Sequence, residues 1–138
     1  MKLALSKGIN YLYVGAGQLR SGVANLFSIR FFIIAFLIAL AADIVSWIFA
    51  GSLNRSLDGE QAILHYNVIF GIDNVGPASG LYIIPLLGLL LLVANMLIAV
   101  LIGDKLQRLL VNLLVGFAAL GNLLLLLALY FVYLVNFS

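Results

Sequence analysis

Cysteine is absent from this 138-residue chain, and with it go disulfides, thiolate nucleophiles, Cys-ligated zinc and iron–sulfur clusters. Histidine occurs once, so a bis-histidine haem would need two copies of the chain and a zinc ion would find no companion ligands. Charge is scarce as well: 9% of residues are Asp, Glu, Lys or Arg, where a soluble domain carries roughly a quarter. A water-soluble surface cannot be built from this material. Hydrocarbon takes its place, with 65% of residues hydrophobic and a mean hydropathy of +1.24. The length sets a single domain. A net charge of +2 and an isoelectric point near 9.1 would suit a nucleic-acid binder if the basic residues formed a patch. They flank apolar runs instead, which is the topological use of Lys and Arg in membrane proteins. The bilayer, and not nucleic acid, is the expected partner.

The N-terminal arm, residues 1–28, is neither a clean signal sequence nor a span. Lys2 and Lys7 resemble a signal n-region, but Gly8, Asn10, Gly15, Gly17, Gln18, Arg20 and Gly22 interrupt residues 8–28, leaving no apolar core and no cleavage site after one. Residues 1–42 lack acids, which keeps a transit peptide as the lesser alternative. Leu5, Ile9, Leu12, Ala16, Leu19, Val23 and Leu26 recur at alternating spacings of four and three, the stripe of an amphipathic helix. Such a helix is expected to lie in the headgroup plane. Gly8, Gly15 and Gly22 recur at heptad spacing beside it. Each costs a helix about 1 kcal/mol against alanine. They read either as a close-packing seam or as chance in a glycine-rich chain.

The remainder, residues 29–138, predicts three transmembrane helices. The first runs from about Phe31 to Leu53, the second from about Leu81 to Ile102 with Pro85 in its first turn, and the third from Leu106 or Leu109 to Phe137. Each is long enough for the ~30 Å hydrocarbon core, and the third has length to spare for tilt. Lys2, Lys7, Arg20, Arg30, Lys105 and Arg108 fall on one side of this arrangement, against Arg55 alone on the other. The positive-inside rule then places the N-terminus in the cytoplasm, and the connection at about 52–80 and the C-terminus outside.

That outer connection holds the densest local chemistry: Leu64-His65-Tyr66-Asn67, then Gly71-Ile72-Asp73-Asn74 and Gly76-Pro77. Its first half is rich in β-formers and predicts an extended segment; its second half reads as turns. His65, Tyr66, Asn67, Gly71, Asp73 and Gly76, followed by Tyr82, Pro85-Leu86-Leu87-Gly88 and Asn95, form a pattern. Over about residues 60–100 it resembles a group of small, uncharacterised membrane proteins from bacterial candidate-phylum genomes. The resemblance implies a bacterial inner-membrane location and no mechanism.

Polar residues inside the spans are few. Asp43 is the one carboxylate there, at an insertion cost of about 2.5–3.5 kcal/mol, and such residues face a partner or water. Counting about 1.5 Å per residue from the inner end puts Asp43 roughly 18 Å deep and Asn122 roughly 20 Å deep, with Asn95 and Asn112 at about 10 and 5 Å. The depths pair Asp43 with Asn122, and Asn95 loosely with Asn112. One Asp among amides makes a poor proton relay, so interhelical hydrogen bonding is the expected role. His65 would need a nucleophile to act as a base, and Ser79 in Gly76-Pro77-Ala78-Ser79-Gly80 is not in a nucleophile elbow. Asp58, Glu60 and Asp73 lack the oxygen spacing of a calcium loop.

The expected architecture is an all-α membrane protein: an amphipathic interfacial helix plus three transmembrane helices. The expected role is non-enzymatic and cofactor-free, as a homo-oligomer or a subunit of a larger membrane complex. The alternative is a small oligomeric channel or ion-translocating element lined by Asp43. A weaker alternative is lipid or quinone binding under the outer loop.

Overall fold

Runs of Leu, Ile, Ala and Val without interior proline close their backbone hydrogen bonds within the run, which is how a single segment satisfies its amides in lipid. In the computed structural model these runs form α1 (Arg30–Ser56), α2 (Ile83–Ile102) and α3 (Arg108–Phe137). The structure describes residues 15, 17, 20–58, 60–67, 69, 71–102 and 108–137. All three helices are long and apolar enough to cross a bilayer. Pro85 falls in the first turn of α2, where its missing N–H leaves no hydrogen bond unmade.

The helices pack through small residues. Ala35, Ala39, Ala42, Ser46 and Ala50 form a buried stripe along α1, and small side chains let helix backbones approach closely. That stripe meets Val111, Val115, Ala118, Ala119 and Asn122 of α3. Because α2 also packs mainly on α3, α3 is the central element. Two apolar clusters result. One, at the Arg30 end, joins Phe32, Ala39, Leu92, Val115 and Ala118. The other, at the opposite end, joins Ala50, Leu53, Leu81 and Leu129. Asp43, Ser46, Asn95 and Asn122 are the buried polar residues of the helices.

The connection between α1 and α2 adds a small sheet to an otherwise helical fold. It holds an antiparallel hairpin, β1 (Gln61–Asn67) and β2 (Gly71–Pro77), and then a 3-10 turn over Ala78–Tyr82. The extended first half is as the sequence reads. The second half is a strand and not a chain of turns, because pairing with β1 outweighs the weak local preferences of Gly, Asp and Asn. Turn chemistry is confined to the reversal, where Gly71 adopts φ 77°, a conformation that costs glycine nothing. The register shifts on either side of His65.

The arm's end is also placed differently. Residues 20–26 are helical, but Leu26 is buried in the bundle cluster beside Phe32, and Phe27 packs edge-on against Phe32 and Phe36. An apolar position of the stripe is thus satisfied by protein. Leu5, Ile9, Leu12, Ala16 and Leu19, and with them most of the expected interfacial helix, lie outside the described residues, as does Gly8. Gly22 does approach another helix closely: a Cβ there would stand 3.3 Å from the side chain and carbonyl of Val100. Gly15 has nothing within 4 Å.

Candidate functional site

Three side-chain-poor helix faces meet at one level of the bundle, and the chain's most deeply buried polar groups meet there with them. Asp43 of α1 is 3% exposed and Asn122 of α3 is 1% exposed. Between them stands Gly88 of α2. A Cβ on Gly88 would collide with Asn122 Oδ1 and lie 2.7 Å from Asp43 Oδ1, so both oxygens rest against the bare Cα. Asn122 donates through Nδ2 to the Gly88 carbonyl at 3.3 Å and to the Ala118 carbonyl at 3.0 Å. Both of its N–H groups are then used. The depth-matched pair does converge, but through glycine and not through a direct Asn-to-Asp hydrogen bond.

The carboxyl group has other company on its own helix. Trp47, one turn on, shares a side-chain hydrogen bond with it, and Ser46 on the same face donates to the Ala42 carbonyl at 2.9 Å. Asp43 Oδ1 itself is buried without a hydrogen-bond partner. The Trp47 ring stacks on Tyr82 at 5.9 Å, which ties the junction to the turn that opens α2. Asp43 is therefore enclosed by one chain.

Asn95 and Asn112 are not joined. Asn95 Nδ2 donates back to Leu91 O in its own helix at 2.8 Å, and Asn112 Oδ1 is buried without a partner. Approximate depth along two helices says nothing about which way each side chain faces, and the looser pairing does not form. Elsewhere on α3, a Cβ on Gly116 would meet the Phe31 ring at 3.9 Å, whereas one on Gly121 would collide with Leu91.

The hairpin residues divide by role. Gly71 makes the reversal, and Gly76 makes room: a Cβ on Gly76 or on Gly80 would stand 2.9 Å from Leu64 Cδ1. Tyr66 pairs with Ile72 and Asn67 with Gly71 across the ladder; the side chains of Tyr66, Asn67 and Asp73 lie outside the described part of the structure. Asn136, near the end of α3, is a residue that hydropathy patterning passes over. Its Oδ1 accepts from Ile63 N at 2.9 Å, and its Nδ2 donates to Ile63 O at 2.9 Å and to Val132 O at 2.8 Å. One amide side chain thus pairs with β1 as a neighbouring strand would.

Beneath β1 lies an apolar groove of about 740 Å³. Ile63, Leu64 and His65 roof it, Ile84 flanks it, and α3 between Ala128 and Val135 forms its floor. Among the described residues no three His, Asp or Glu side chains gather as a metal-binding set. No family model, no curated protein and no solved structure matches this chain, so the junction and the groove stand on their own chemistry.

Proposed function

We propose that this chain is a non-enzymatic subunit or scaffold of an assembly in the bacterial cytoplasmic membrane. The observation that carries the reading is the division between its inside and its outside. The deepest polar groups, Asp43 and Asn122, face Gly88 of the same chain, while 33%, 28% and 28% of the three apolar stretches are buried by the chain itself. The remainder, including Phe31, Ile48, Leu97 and Phe117, is left for lipid and for other helices. A pore-lining carboxylate would face water or a symmetry axis, and Asp43 is enclosed instead. The subunit reading is tested by native mass in mild detergent. A mass above one chain is expected, as a homo-oligomer or with other membrane subunits; a bare monomer in every mild detergent would end it.

The same reading sets an orientation. Arg30 and Arg108 lie at one end of the bundle and the hairpin at the other. Lys2, Lys7 and Arg20 precede Arg30 in the sequence and Lys105 precedes Arg108, which makes that end cytoplasmic and the hairpin outside. The absence of native cysteine makes the test direct. In intact cells Ser56→Cys is expected to react with an impermeant maleimide and Gln107→Cys is not; the reverse pattern would invert the topology.

A further inference from the structure

We propose that the groove beneath β1 holds one acyl chain of a glycerophospholipid, with the lipid headgroup at the hairpin end. The proposal rests on the bilayer location proposed above and goes beyond the subunit role.

The groove is held open by the fold. Asn136 grips Ile63 through both its N–H and its carbonyl, and so fixes β1 at one height above α3. Leu64 is steered by the two glycines that face it, Gly76 and Gly80. Below them the floor falls away at Ala128, a small and exposed residue. A groove of about 740 Å³ that opens along α3 is filled by whatever phase that face of the helix meets. Water is a poor filler here, because an ordered water needs two to four polar partners and among the described residues His65 is the one polar side chain in the lining. The filler is hydrocarbon.

The surroundings say where that hydrocarbon comes from. Along α3 the floor runs on to Leu127, 46% exposed, and Phe131, 55% exposed, a face that meets acyl chains wherever the helix crosses a bilayer. A chain enters sideways from there. The polar end of the occupant lies near His65, whose side chain is exposed, at the level of the last turns of α3, where Tyr130 and Tyr133 on another face of the helix are residue types that favour the membrane interface. An apolar floor with a single polar rim fits an amphiphile with one polar end. A quinone ring carries carbonyls on opposite edges, and one lining polar group does not serve both.

The full chain, purified in mild detergent, is expected to carry one phospholipid per chain by native mass spectrometry. Ala128→Phe and Val135→Phe fill the groove and are expected to lower that occupancy tenfold or more; Leu97→Phe, exposed on α2 and thirteen residues along it from Ile84, is expected to leave it unchanged. Wild-type chain in phosphatidylcholine vesicles bearing a mid-chain diazirine supplies a reading that needs no variant. Cross-links are expected to concentrate on residues 128–135 and 63–65. Absence of a retained phospholipid, occupancy indifferent to both filling variants, cross-links spread evenly over the three helices, or a quinone as the retained molecule would each overturn the proposal. Release of the chain from membranes by alkaline carbonate would instead overturn the bilayer location, so the two failures are distinguishable.

Discussion

Gly88→Ala is expected to lower the stability of the helix bundle by about 1–3 kcal/mol, the usual cost of forcing one methyl group into a packed interior. The added Cβ would collide with Asn122 Oδ1 and stand 2.7 Å from Asp43 Oδ1. Neither oxygen has room to yield freely. Asn122 is held by its bonds to the Gly88 and Ala118 carbonyls, and moving it leaves its buried Nδ2 hydrogens short of an acceptor. Asp43 is held by Trp47, which is itself stacked on Tyr82. Thermal unfolding followed by helical circular dichroism in one detergent measures the effect. Gly116→Ala is the matched control, since its Cβ would meet the Phe31 ring at an ordinary 3.9 Å, and alanine is otherwise the better helix former. Equal melting of Gly88→Ala and wild type would remove the three-helix junction as a source of stability.

Asn136→Leu is expected to loosen the hairpin while leaving the three helices formed. It removes the two bonds to Ile63 and the one to Val132. Each is part-buried, and such bonds contribute roughly 0.5–1.5 kcal/mol apiece, with a further penalty where a buried group is left unpaired. A two-stranded hairpin alone is marginally stable, so its order depends on what it leans on. A loss of about 2 kcal/mol corresponds to roughly 30-fold easier opening, taking tenfold per 1.4 kcal/mol. Amide hydrogen exchange over 61–77 reads this directly, with α2 as the internal reference. Asn136→Asp keeps the acceptor for Ile63 N–H and loses the donors, so its exchange is expected to fall between wild type and Asn136→Leu. Unchanged exchange in Asn136→Leu would show that packing of Leu64 and Ala62 alone holds the hairpin.

The spans were legible because twenty consecutive apolar residues leave few alternatives. The approach of Asp43 to Asn122 was legible because rise per residue in a helix is nearly constant. Azimuth is less so: in a helix with lipid on most sides, apolar residues do not mark an inward face. Asn95 and Asn112 match only loosely in depth and are not bonded to each other. Gly88 gives no periodic signal within a leucine run; its role depends on two side chains from other helices. The hairpin's second strand was obscured because Gly71-Ile72-Asp73-Asn74 carries turn residues that only pairing with β1 makes extended. Asn136 gives no signal of its own in the sequence, because its partner lies 73 positions away. Leu26 fits an amphipathic stripe by spacing and a bundle core by contact, and spacing alone does not separate lipid from protein as the apolar phase.

The enclosure of Asp43 is the point on which the subunit reading and the channel reading part. Wild type and Asp43→Asn, reconstituted side by side into vesicles, measure it through ion and proton flux together with native mass and thermal stability. An amide at position 43 removes the carboxylate's insertion cost and keeps an oxygen for Trp47, so the variant is expected to assemble like wild type and to unfold no earlier. Neither protein is expected to carry flux above that of empty vesicles. A wild-type flux that Asp43→Asn abolishes, with fold and assembly unchanged, would overturn the subunit reading and make Asp43 the conducting group.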